Sequence, residues 1–270
     1  MEKKLGTKSN RVALRTTLIY LIVGLIWILT SDMVLLDLIQ DPILLTQIQT
    51  YKGFAFVFTS AALIFLLVRS FTLDMEQSNI RLSLAYDATL RSLVQAIELR
   101  DVDTQDHAYR VTEFALKLCR SLGMPEQNLE VMHHGALLHD VGKIAIPDEI
   151  LHKPQALSDT EWEQMRRHPQ LGYDLLASID YLEEAAQIPL CHHERWNGSG
   201  YPRGLRAEAI PYEARIFAVA DVWDALTSDR PYRPAWSAAD AYTYITDNSG
   251  TLFDPQVVDA FIELYQSQSL

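Results

Sequence analysis

Histidine and aspartate recur along this sequence at places where they could hold a metal ion. Asp103 and His107 stand four apart in DTQDH, on one face of that segment if it is helical. His139 and Asp140 close the apolar run ALLHD and lead into Val141-Gly142-Lys143. His168 precedes Pro169, and His192-His193-Glu194 ends a second apolar stretch. Asp221 and Asp224 lie three apart in AVADVWDAL, a spacing that turns both to one side of a helix. Singly, each has an ordinary explanation: a lone histidine belongs to core or surface, and a pair of aspartates caps a helix or meets an arginine. Together they resist it, because apolar segments such as Ala136–Leu138 and Phe217–Ala220 would bury these polar groups at a cost unless something pairs them. Imidazoles and carboxylates without thiolates suit iron, manganese or zinc with positions open to water. The two oxygens of Asp140 could bridge a pair of ions, an arrangement common in hydrolytic sites.

Several motifs resemble a known family. Leu138-His139-Asp140-Val141-Gly142-Lys143 is similar to the signature of HD-superfamily phosphohydrolases. The run His192-His193-Glu194-Arg195-Trp196-Asn197-Gly198-Ser199-Gly200-Tyr201-Pro202 resembles the HHE…GYP signature of the HD-GYP phosphodiesterases. The likeness extends from about Ser83 to Phe261 and includes Ile146-Pro147, Lys153-Pro154, His168-Pro169, Ala220-Asp221 and Arg230-Pro231-Tyr232-Arg233. It implies an all-α domain of bacterial second-messenger signalling that hydrolyses cyclic di-GMP to pGpG, and further to GMP. The alternatives are a receptor with little turnover or a hydrolase of another cyclic dinucleotide. The resemblance further implies His107, His139, Asp140, His168, His192, His193 and Asp221 as metal ligands, with Asp140 bridging and Lys143 on the scissile phosphate. Gly200, Tyr201, Pro202, Asp224, Arg230 and Arg233 match substrate-contacting positions; arginine pairs with phosphate and stacks on guanine. Family members with a third metal carry Glu where this chain has Asp103, one methylene shorter. Two divalent metals, iron or manganese, are therefore expected, with Asp103 a ligand only to a third. Gln155 replaces a glycine common after Lys-Pro. His133, His134 and His152 match no ligand position, Cys191 and Cys119 read as small apolar residues, and Trp162, Trp196 and Trp223 read as packing.

The elements that must position these groups follow from patterning. From Ser83 onward turn signals separate helical segments without sustained two-residue alternation, so the domain reads as all-α. Ser158 and Glu161 form a capping-box pattern ahead of His168, and Pro169 suits a first helical turn. Upstream, Thr16–Ser31 and Gly53–Val68 carry no charge, with Arg15, Lys52 and Arg69 at their edges. They predict two membrane-spanning helices, at about 16–31 and 53–68, within an anchor of residues 1–72. Five Lys/Arg precede the first span, whereas Asp32–Tyr51 has three Asp and neither Lys nor Arg. That asymmetry places both termini, and the catalytic domain, in the cytoplasm of a bacterial inner membrane. Apolar residues recur from Leu82 to Ile97, and no Pro or Gly falls between Gly53 and Gly123, so the second span is expected to run into a linker helix over 73–82. The domain then occupies 83–270. The linker could pair with a second copy, and the GYP loop could meet a signalling protein.

Composition bounds the partners. The 270 residues carry 23 Lys+Arg against 35 Asp+Glu, net −12, which argues against a nucleic-acid polymer as partner. The acidic surplus lies after residue 72, since residues 1–72 hold seven basic and four acidic side chains. An anionic dinucleotide therefore needs metals, Lys143 and arginines to invert the local field. Two cysteines are too few for a disulfide framework or a cysteine-based zinc site.

Overall fold

The computed structural model describes residues 2–100, 106–229 and 233–267, with side chains from residue 13 onward. Asp103 and Arg230 lie outside the described residues. The chain divides into two compact units, Met1–Ser83 and Leu84–Leu270, and its regular elements are helices.

The first unit holds α1 (Glu2–Leu38) and the N-terminal part of α2 (Pro42–Glu98). Both are long and apolar enough, by length and composition, to cross a bilayer. Side chains such as Leu25, Trp27, Phe58 and Phe65 are exposed. An ion pair of Lys52 with Asp32 joins the two helices. Within the Asp32–Tyr51 stretch between the two uncharged runs, only residues 39–41 are not helical. α1 continues to Leu38, and α2 starts at Pro42, where the Asp41 side chain accepts the Ile43 N–H at 2.9 Å and proline occupies the first turn. With no helix breaker beyond Gly53, α2 then runs unbroken to Glu98.

The second unit is built around α3 (His107–Ser121), which packs against α4 (Glu126–Leu137) and α9 (Tyr212–Thr227). Val111, Phe114, Ala115, Leu118 and Cys119 recur on one face of α3 and meet Met132 and Ala136 of α4, Ile216, Phe217 and Ala220 of α9, and Phe261 of α11 (Pro255–Gln266). Fully burying a side chain such as Leu118 or Phe217 contributes ~1.5–3 kcal/mol. A second core forms where Leu90, Val94 and Ile97, on one face of the end of α2, meet Leu137, Leu138, Val141, Leu176 and Leu182. The segment carrying His139 and Asp140 thus lies between two cores, Ala136 in one and Leu138 in the other.

Short elements finish the scaffold: a 3-10 turn at Val141–Ala145, α5 (Asp148–Leu151), α6 (Asp159–Met165), α7 (His168–Leu176), α8 (Gln187–Cys191) and α10 (Ala238–Asp247). The capping box of Ser158 and Glu161 opens α6, and Pro169 sits in the first turn of α7. A Cβ on Gly142 would fall 2.0 Å from the His168 carbonyl oxygen, so only glycine lets the turn after Asp140 lie against the start of α7. Arg100, just beyond α2, fastens the same turn. Its guanidinium donates to the carbonyls of Lys143 (2.9 Å), Ile144 (2.8 Å) and Ile146 (2.5 Å) and to Asp148 Oδ1 (2.6 Å).

Candidate metal centre

Three histidines in this unit share one local device. His139, His168 and His192 each donate Nδ1–H to the carbonyl three residues earlier, Ala136 (2.8 Å), Met165 (2.8 Å) and Pro189 (2.7 Å). A carbonyl only accepts, so each ring must carry its proton on Nδ1 and expose the Nε2 lone pair. Burial, and for His192 the neighbouring His193 as well, lowers the pKa of His168 and holds His192 well below the usual imidazole range. His193 is pushed down to about 3, chiefly by burial. Neutral imidazole is the ligating form.

Two clusters result, His107–His139–Asp221 and His168–His192–His193, each with its donor atoms within 4.8 Å of one another. Asp140 spans them. Its Oδ2 lies 3.2 Å from His139 Nε2 and 2.8 Å from Lys143 Nζ, while its Oδ1 lies 3.4 Å from His168 Nε2 and 3.9 Å from His192 Nε2. Burial would raise the Asp140 pKa, but Lys143 and His139 outweigh it and hold the carboxyl well below its ordinary range. The donor set fits metals on its own chemistry. His168 Nε2 and His192 Nε2 sit 3.3 Å apart with both Nδ1 protons already committed, so two lone pairs face each other and a cation between them is the natural relief.

His107 is held differently, between Asp221 Oδ1 (3.3 Å from Nε2) and Asp224 Oδ2 (2.6 Å from Nδ1). Burial alone would lower its pKa; the two carboxylates override that and raise it to about 9. The three-residue spacing of Asp221 and Asp224 does turn both to one side of α9, onto opposite edges of one ring. Asp224, expected at the substrate, therefore stands behind His107 instead. It is buried, and Arg110 Nε occupies its other oxygen at 2.7 Å.

A cavity of about 330 Å³ opens on these groups, lined by His107, His139, Asp140, Lys143, His168, His192, His193 and Asp221, and by Tyr201, Leu151, Leu157, Trp162 and Met165. Tyr201 reaches it from the GYP loop and packs on His193 with ring centroids 4.7 Å apart. Gly200 supplies close approach, since a Cβ there would lie 2.5 Å from the backbone of His193, Glu194 and Arg195. Pro202 follows Tyr201 in the loop without lining the cavity, and Arg233 also stands away from it, donating to the Ala225 carbonyl at 2.6 Å and covering Trp236.

Several groups have roles that sequence reasoning did not assign. Glu194 is buried and anchors the GYP loop by accepting the N–H groups of Arg203 (2.8 Å) and Leu205 (3.0 Å). Arg110, one helical turn after His107, was legible as a neighbour of that face. Trp162, read from sequence as packing, is 45% exposed at the cavity wall. Burial pushes the thiols of Cys191 to about 11 and Cys119 to about 12, so both stay protonated. His134 is buried beside Asp87 and Tyr181, apart from the cavity.

The family model for the HD domain matches residues 91–257, more than half of the sequence. The chain belongs to the HD-domain family. The matched span holds the paired His139 and Asp140 and the run His192–Pro202. It is 48% identical over 176 residues to the cyclic di-GMP phosphodiesterase response regulator RpfG of Xanthomonas campestris pv. campestris (strain 8004), covering 64% of this chain and 47% of that protein. Over 174 residues it is 37% identical to the 3'3'-cGAMP-specific phosphodiesterase 2 of Vibrio cholerae serotype O1, covering 64% of this chain and 33% of that one. The chain thus spans about half the length, or less, of the curated relatives it matches. The crystal structure of a cyclic GMP-AMP specific phosphodiesterase of V. cholerae (V-cGAP3) superposes with a TM-score of 0.53 at 23% identity, covering 66% of this chain and 48% of that one, a likeness of fold.

Proposed function

We propose that this HD domain is a metal-dependent phosphodiesterase that opens cyclic di-GMP to pGpG and carries it on to GMP, held at a bacterial cytoplasmic membrane by α1 and the N-terminal part of α2, with both termini in the cytoplasm. The observation that carries the enzymatic reading is the pair of donor clusters astride one carboxylate, with lone pairs already aimed inward. His107, His139 and Asp221 would hold one divalent metal and His168, His192 and His193 the other, with Asp140 shared; iron or manganese suits this set. When bound, such metals supply activated water and neutralise the charge that develops on phosphorus.

The chain's own residues do the rest. Asp140 stays ionised and offers one oxygen to each cluster. Lys143 Nζ, hydrogen-bonded to Asp140 Oδ2, places a cation at the cavity wall where a phosphate oxygen can meet it. Asp224 and Arg110 fix the ring of His107, and Glu194 fixes the loop that presents Tyr201. Such positioning groups typically matter 10–100-fold in metal affinity or activity.

The test uses the full chain in detergent, purified anaerobically, with metal counted per chain and cyclic di-GMP and 3′3′-cGAMP each followed by chromatography. Two metals per chain with pGpG or GMP formed is the expected result. Asp140→Ala should lower turnover by about 10²–10³-fold or more, the range for removing one preorganised stabilising group, with helical circular dichroism retained. Near-wild-type turnover in that variant would overturn the assignment. Metal and bound dinucleotide without product would make the domain a receptor, and faster turnover of 3′3′-cGAMP would change the substrate.

A further inference from the structure

The histidine and aspartate lining of the cavity accounts for a phosphodiester but not for its other groups. These are largely apolar and aromatic: Leu151, Leu157, Trp162 and Met165. Trp162 is 45% exposed. A single exposed tryptophan is ordinary on a surface, but this one borders a polar cavity and belongs to a continuous strip. The Tyr201 ring lies 4.7 Å from His193. The Arg166 guanidinium carbon lies 5.5 Å from the Tyr201 ring centroid and 5.8 Å from that of Trp162. The contacts thus link His193 to Tyr201, Tyr201 to Arg166, and Arg166 to Trp162.

The strip is held in place rather than draped over the surface. The capping box of Ser158 and Glu161 fixes the first turn of α6, and Lys153 Nζ ties the same carboxylate at 2.6 Å and 2.8 Å. Arg166 is exposed and has no carboxylate partner among the described residues, within a strongly acidic domain. Flat π-faces interleaved with a guanidinium are the chemistry that recognises a planar heterocycle joined to an anion.

Building on the phosphodiesterase reading above, we propose that Trp162 and Arg166 form a purine-stacking platform at the cavity mouth, taking one base of a cyclic dinucleotide while its phosphodiester lies against the histidine clusters. Trp162 supplies the face on which the base lies, and Arg166 supplies the cation beside it.

The experiment compares full-length wild type with Trp162→Phe, Trp162→Leu and Trp162→Ala in detergent, measuring KM and kcat for cyclic di-GMP together with metal per chain. Loss of one base stack raises KM about tenfold in the Ala and Leu variants, with kcat within about twofold and metal content unchanged. Phe, which keeps a π-face, stays within about threefold of wild type. Rescue by Leu equal to rescue by Phe would show that apolar bulk suffices and overturn the platform. An unchanged KM in the Ala variant, or metal lost in parallel with activity, would overturn it too. If wild type turns over no cyclic di-GMP, equilibrium dialysis with cyclic di-GMP and 3′3′-cGAMP decides the matter separately from catalysis. Binding weakened in Ala and Leu but kept in Phe supports the platform while the substrate assignment falls; equal binding by all four proteins, or none by wild type, overturns it.

Discussion

His107 sits between two carboxylates, so its proton links pH, fold and metal. Its pKa is raised from 6.5 to about 9 because Asp221 and Asp224 outweigh burial. In metal-stripped protein, the stability this proton contributes is complete below about pH 6.5 and lost as pH rises through about 9. The melting temperature of the stripped protein should fall across that window, and His107→Gln should lack the fall. Metal uptake runs the other way, since loading displaces the proton, and affinity should climb over the same range by calorimetry in low-affinity buffer. The depressed pKa values of Asp140, Asp221 and Asp224 act only in acid and leave this window to His107. Asp224→Asn tests the support behind the ring. It removes one of the two charges on His107 and the partner of Arg110, and should cost 10–100-fold in metal affinity or turnover, roughly the range for such orienting groups. A value equal to wild type would place Asp224 outside the site's support.

At the scale of elements, the site depends on turns more than on long helices. Ala136, Met165 and Pro189 each offer a carbonyl three residues before a histidine, and the turn geometry aims the opposite nitrogen at Asp140. Gly142 brings two of these turns together. Gly142→Ala drives a methyl into the His168 carbonyl at 2.0 Å and the Gly172 nitrogen at 2.6 Å, so the backbone must part. The expected cost is ~1–3 kcal/mol of stability, visible in denaturant melts, with loss of metal from the His168–His192–His193 cluster ahead of global unfolding. Full metal occupancy in that variant would show that the close approach is dispensable. The histidine and aspartate types were legible from sequence here. The i−3 carbonyls were not, because backbone acceptors leave no mark in residue identity.

For the whole molecule, the apolar surface of the first unit is the dominant fact. Helix α1 and the first part of α2 leave Leu25, Trp27, Phe58 and Phe65 more than half exposed, and each exposed side chain of this size carries ~1.5–3 kcal/mol of unrealised burial. A lipid bilayer, the setting proposed for this unit, would remove that cost. The full chain should stay with membranes through a sodium carbonate wash and release only in detergent; release by carbonate would defeat the anchor. In the proposed orientation, with the positive charge before Thr16 on the cytoplasmic side, a protease added to intact spheroplasts should spare the second unit.

Sequence alone determined the all-α class of the second unit, the two long apolar helices and the candidate ligand types. Each of these is written in residue identity and spacing: a 3.6-residue period, an uncharged run, an imidazole beside a carboxylate. The tertiary structure decided which of those residues meet. Asp224, three residues after Asp221, turned out to serve His107 rather than the cavity, because both carboxylates of one α9 face grip opposite edges of the same ring. Trp162 became cavity wall instead of core, and Arg166 four residues on meets the Tyr201 ring, a neighbour distant in sequence. Spacing fixes direction along one helix. Only the packing of several helices fixes what stands across from it.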